Sequence, residues 1–126
     1  MFIQYNSNPF DVNDDDCAIR AISIITEKPW ETVYMDLVVL GITKGRMPTN
    51  KSVCNSYLKS LGFIREVIPN TCPDCYTVND FCNDNRIGKY ILVTDSHMVA
   101  VINGDLYDTW DSSNEIPLFY WKKEGE

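Results

Sequence analysis

One dipeptide constrains the fold of this chain more than any other feature: Asn103-Gly104, set between "HMVAVI" and "LYDTW". Asn-Gly between two β-rich runs is the strongest short-range signal for a two-residue hairpin, because both residues tolerate positive φ. Such a turn also sets the register. Ile102 faces Asp105, Val101 faces Leu106, Val99 faces Asp108 and His97 faces Trp110. Strand side chains alternate, so His97, Val99, Val101, Leu106, Asp108 and Trp110 share one face. Asp108 then lies diagonally across from His97, at a Cβ separation of about 7–8 Å or less. A carboxylate there can hold an imidazole in one tautomer. Asp108 is a charge on an otherwise apolar face, so it needs a partner or a place at the sheet's rim. Asp111 is its rival if the strand ends at Trp110 and the chain curls back. Asp95, before the strand, is a third candidate.

Upstream of the hairpin the apolar period is helical, and that change of period decides the fold class. Ala18, Ala21, Ile22 and Ile25 fall at i, i+3, i+4 and i+7, which predicts a helix from near Asp16. Pro29 ends it and opens a second helix at about Trp30, with Val33, Leu37 and Leu40 inward and Gly41 as C-cap. Asn50 caps a third helix whose inner stripe is Val53, Tyr57, Leu58 and Leu61, and Gly62 ends it. Residues 63–68 read as a short strand and 77–83 as a short helix. "KYILV" and "IPLFYW" add strands, the second as part of the core rather than a docking edge. Residues 1–13, rich in Asn, read as an irregular arm. Helices first and an antiparallel sheet after them predict an α+β fold. No repeat or linker divides the 126 residues, a length that suits one domain spanning 1–126.

The net charge of −7 repels phosphates, so nucleic acid is not an expected partner. No apolar run reaches the roughly 18 residues of a membrane span. The opening "MFIQYNSNPF" has neither a basic n-region nor a long apolar h-region, so neither a signal peptide nor a membrane is expected. Five cysteines, an odd number, then read as reduced thiols of a cytoplasmic protein. In "TCPDCYTVNDFC", Cys72, Cys75 and Cys82 lack a fourth zinc ligand unless Cys54 folds alongside them. A redox pair there has no thioredoxin-like βαβ context. The expected reading is a loop with incidental thiols, no metal and no cofactor.

Cys17 is different, because it follows Asp14, Asp15 and Asp16 and precedes an apolar run. Asp15 or Asp16 is expected to cap the helix, which puts Cys17 in the first turn. Outward N–H groups and the helix dipole favour a thiolate there. The three carboxylates oppose it. At an exposed site the dipole contributes only about 0.3–1 kcal/mol, too little to win alone. A cation in contact could win, and His97 is the chain's one histidine. The same carboxylates would favour a protonated imidazole. Buried Cys and hydrogen-bonded His are commonly structural, so geometry has to join the two.

With these residues in place, the chain resembles the papain-like cysteine peptidases, in particular a compact type common in phage and prophage sequences. The matching pieces are "DDCAIRAIS", "KPWETVYMDLVVLG", "YLKSLGF" and "GKYILVTDSHMVAVINGDLYDTWDSS". They cover most of the chain from residue 15 to about 113. Their order is that of the family: Cys on an N-terminal helix, His on a strand, Asp on the next strand. The resemblance implies a papain-like fold and acyl transfer through a thioester on a protein or peptide substrate. It implies Cys17 as nucleophile, His97 as general base and later acid, and Asp108, or else Asp111, orienting His97. The bond cut would be a peptide, isopeptide or related amide, and the phage-like type implies a host cytoplasm. The family also carries a Gln about six residues before the Cys, which completes the oxyanion hole. Asp11 stands at that position here. Asn13 is the expected substitute donor; Gln4, Asn6 and Asn8 lie further upstream. The alternative is a non-catalytic interaction module that keeps the same fold.

Overall fold

The computed structural model describes residues 1–125. Its elements in chain order are β1 (Phe2–Gln4), α1 (Cys17–Thr26), α2 (Trp30–Lys44), α3 (Lys51–Ser60), β2 (Phe63–Val67), α4 (Val78–Asp84), β3 (Lys89–Val93), β4 (Met98–Ile102), β5 (Asp105–Asp108) and β6 (Phe119–Lys123). Among the described residues six strands form one sheet, in the order β1-β5-β4-β3-β6-β2. The fold is α+β, and the hairpin has the expected register: Ile102 opposite Asp105, Val101 opposite Leu106. Asn103 and Gly104 have φ of 51° and 80°, the pair of positive values that a type I′ turn requires. Gly104 is needed twice over, since a Cβ there would stand 3.0 Å from the Cys82 carbonyl oxygen.

Two expectations about the sheet need correction. It is mixed rather than antiparallel, and the N-terminal arm is not wholly irregular. Phe2–Gln4 forms β1, which pairs parallel with β5, Gln4 opposite Asp108. A strand of three residues is too short to show an alternation, and its partner lies at the other end of the chain.

The sheet is covered on both faces. Ile22 of α1, Leu37 of α2 and Leu58 of α3 pack with Ile91, Ala100 and Trp121 on one side. Val78 and Phe81 of α4 pack with Leu92, Val99, Val101 and Leu106 on the other. Trp121 is fully buried, so "LFYWKK" closes the core as expected. Two helix boundaries differ from the sequence pattern. α2 runs past Gly41 to Lys44, and Gly45, with φ of 67°, is the C-cap. Gly41 instead lets the chain fold back: Arg46 N–H donates to its carbonyl at 2.9 Å. α4 starts at Val78 and has a full capping box between Thr77 and Asp80.

The expectation of reduced thiols throughout is also corrected. Cys72 and Cys75 are joined as a disulfide, while Cys17, Cys54 and Cys82 are free. The tight turn through Pro73 and Asp74 brings the two Cα atoms to 4.1 Å. Among the described residues no helix is long and apolar enough to cross a membrane.

Candidate active site

The site lies at one end of the sheet. His97 immediately precedes β4, and Asp108 is the last residue of β5, so both stand at the same end. By strand parity both belong to the α4 side, with Val99, Val101 and Leu106. Cys17 opens α1, which packs on the opposite face with Ala18 and Ile22 in its core. The two sides meet because the pairing of β4 with β5 stops at Ala100 and Tyr107. Met98, two residues before Ala100, directs its backbone N–H at the Cys17 sulfur instead.

His97 Nε2 is hydrogen-bonded to Asp108 Oδ2 at 2.6 Å. An ionised carboxylate only accepts, so Nε2 carries the proton and Nδ1 is left for the thiol. Asp108 is buried and well held. Ser112 Oγ donates to the same Oδ2 at 2.6 Å, and Thr109 N–H donates to Oδ1 at 2.7 Å. Trp110 walls the imidazole, with ring centroids 5.0 Å apart.

The electrostatics follow from these contacts. Burial by itself pushes the Cys17 thiol up. The hydrogen bond with His97, the Met98 N–H, and the charges of His97 and Arg20 outweigh it, so its pKa lies below the ordinary value. Burial would likewise lower His97, but hydrogen bonds with Asp108 and Cys17 and the Asp108 charge raise it to about 9. Burial would raise Asp108, but His97, Ser112 and Thr109 hold it below the ordinary carboxylate value. A lowered thiol beside a raised imidazole is the pattern of a thiolate–imidazolium pair.

Of the other residues picked from sequence, Asp111 and Asp95 are exposed and stay out of the cluster. Asp111 Oδ1 accepts from Ser113 N–H at 3.1 Å, closing a local turn instead of curling back to His97. Asn13 is exposed, and its Oδ1 accepts from Arg20 Nη1 at 3.3 Å. It lines a cavity of about 400 Å³ together with Gln4, Asn6, Asp11 and Thr109. Asp16 occupies the N-cap position but makes no cap hydrogen bond. Its carboxylate is buried, accepting from Arg20 Nη1 through Oδ1, and from Trp30 Nε1 at 3.0 Å and Asn8 Nδ2 at 3.3 Å through Oδ2. Only Asp14 and Asp15 of the triplet face solvent.

Sequence reasoning missed Arg20, Ser112 and Trp30, and named Asn8 only as an upstream donor, not as a partner of Asp16. A signal existed for Arg20. α1 is apolar nearly all round, and such a helix is buried on every side, its one cation included. Ser112 lies beyond the strand, in a turn that no periodicity describes. Beside Asp16 runs a groove of about 410 Å³ lined by Phe10, Val12, Asp14, Asp15, Trp30 and Met47. Cys54, also close by, is pushed up to about 11 by burial and by the Cys17 charge, so it stays a neutral thiol. Among the described residues no group of three His, Cys, Asp or Glu side chains could hold a metal ion.

Compared with models of known families, with curated proteins and with solved structures, the chain matches none.

Proposed function

We propose that this protein is a thiol hydrolase of papain-like type that cuts a peptide, isopeptide or related amide bond. The observation that carries the reading is the 2.6 Å His97–Asp108 bond, beside a Cys17 whose pKa His97 helps to lower. In the first step the Cys17 thiolate adds to the amide carbon, and its carbonyl oxygen becomes an oxyanion. Protonated His97 gives its proton to the departing amine as the C–N bond breaks, leaving a thioester. Water then adds to the thioester with its proton passing to His97, the C–S bond breaks, and carboxylic acid leaves. Asp108 holds the ring in one tautomer through both steps.

The bare helix start supplies the oxyanion donors. The first intrahelical bond runs from Arg20 N–H to the Asp16 carbonyl, so the N–H groups of Cys17, Ala18 and Ile19 have no acceptor within the helix. Asp16 is turned to Arg20 and does not cap them. Losing one such donor typically costs about 3–4 kcal/mol of transition-state stabilisation. The groove beside Asp16 takes the residues flanking the cut bond, and its apolar floor and acidic rim suit apolar and basic side chains. The resemblance to the phage type supports work in an infected host's cytoplasm.

Labelling of Cys17 by an electrophile at pH 6 tests the pairing. The wild type should label fast. His97→Ala, folded, should label at least about tenfold more slowly, one unit of thiol pKa. Equal rates and pH dependence in the two proteins would leave the thiol unpaired and favour the interaction module.

A further inference from the structure

We propose that Arg20 is a positioning residue that docks the nucleophile's helix against the carboxylate of the triad; this rests on reading Cys17, His97 and Asp108 as that triad. Arg20 lies on α1 one turn after Cys17, and only 4% of its surface is exposed. Its guanidinium reaches three groups, two in the segment leading into α1 and one on β5. Nη1 is paired with Asp16 Oδ1 and also donates to Asn13 Oδ1 at 3.3 Å. Nη2 lies 3.8 Å from Asp108 Oδ1, an ion-pair contact across to β5. The Asp108 oxygen it faces is the one not bonded to His97. Asp16, the anchor of this cation, is itself 5% exposed and held by Trp30 and Asn8.

A buried cation is costly unless paired, and a hydrophobic residue of similar volume often serves stability as well or better. A helix packed among apolar side chains therefore has no need of an arginine for packing alone. What the arginine adds is a fixed link between the element that carries the thiol and the one that carries the carboxylate. A planar fork can hold two carboxylates at once in set directions, which an ammonium cannot. The buried charges then alternate in sign along the line Asp16, Arg20, Asp108, His97, Cys17.

The test uses the fact that His97 is the chain's one histidine, so its NMR titration is unambiguous. The full chain is compared with Arg20→Met and Arg20→Lys, each checked for folding by its melting curve. If Arg20 were merely a nearby charge, removing it would raise the His97 midpoint, because a cation disfavours an imidazolium. A docking role predicts the opposite sign. Without Arg20 the helix shifts, His97 loses its close contact with the thiolate, and its midpoint falls. The expected fall is about one pH unit in Arg20→Met, a tenfold change in proton affinity, with a smaller fall in Arg20→Lys. If Arg20→Met does not fold, Arg20→Lys decides. An unchanged or raised midpoint in the folded variant would overturn the proposal. The pH 6 labelling of wild type against His97→Ala is separate, so failure of the hydrolase reading is seen there and not confused with this result.

Discussion

Asp108 is where the site's contacts converge: an imidazole and a hydroxyl on one oxygen, an N–H and a guanidinium on the other. Asp108→Asn keeps the shape and removes the charge. Turnover should fall by about 10³–10⁴-fold, because an amide can hold the wrong tautomer of His97. Cys17 labelling should fall far less, and equal losses in both would assign Asp108 to charge alone. Stability against pH gives a second prediction, from opposite signs. His97 is raised to about 9, so its contribution is complete below its unfolded value near 6.5 and is lost as pH rises through 9. Cys17 is lowered, so its contribution is complete above its unfolded value of 9.0 and is lost as pH falls through the lowered folded value. The two slopes oppose each other in the wild type. Cys17→Ala removes one of them, together with the part of the His97 rise that the thiol supplies, and urea unfolding should then show stability falling as pH rises above about 6.5. A flat profile in that variant would mean His97 is not held by Asp108. The His97–Asp108 pair was legible in the sequence because the Asn-Gly turn fixes a register and only one histidine is available. The link from Arg20 to Asp16 was not, because an ion pair one helical turn apart ordinarily sits at the surface, although the apolar helix around Arg20 marked it as buried.

At the scale of elements, the helices and strands follow their apolar periods, and the differences sit where the backbone answers to a distant neighbour. α2 outruns its glycine because Gly41 serves close approach rather than termination. A Cβ at Gly41 would lie 2.6 Å from the Arg46 carbonyl oxygen, a backbone atom that cannot swing aside. Gly41→Ala should therefore cost about 1–3 kcal/mol, as overpacking does, read as a lower urea midpoint. A loss under 0.5 kcal/mol would show that the turn after α2 is free to move. β1 escaped notice for a related reason, since its order comes from β5 and not from its own three residues. The start of α1 carries an aspartate at the cap position, yet its end is bare. Propensity reads only the local competition for Asp16, and Arg20, one turn on, wins it.

For the molecule as a whole, the charge of −7 and the groove with Asp14 and Asp15 on its rim predict selectivity. Peptides carrying Lys or Arg beside apolar residues should bind Cys17→Ala more tightly than their Glu counterparts. The difference should shrink as salt rises, since both carboxylates are exposed. Equal affinities at low salt would remove the groove from recognition. The pairing of β1 with β5 bears on time as well as on shape. Synthesis runs from the N-terminus, so β1 and Cys17 leave the ribosome before β5, and Gln4 and Tyr5 must wait for Asp108 to pair with. His97 and Asp108, the clamp on it, arrive together, well after Cys17. A nascent chain halted before that point carries an ordinary, slow thiol at Cys17. The same late closure that makes the fold non-local thus delays any reactivity the pairing confers until both strands of the hairpin are in place.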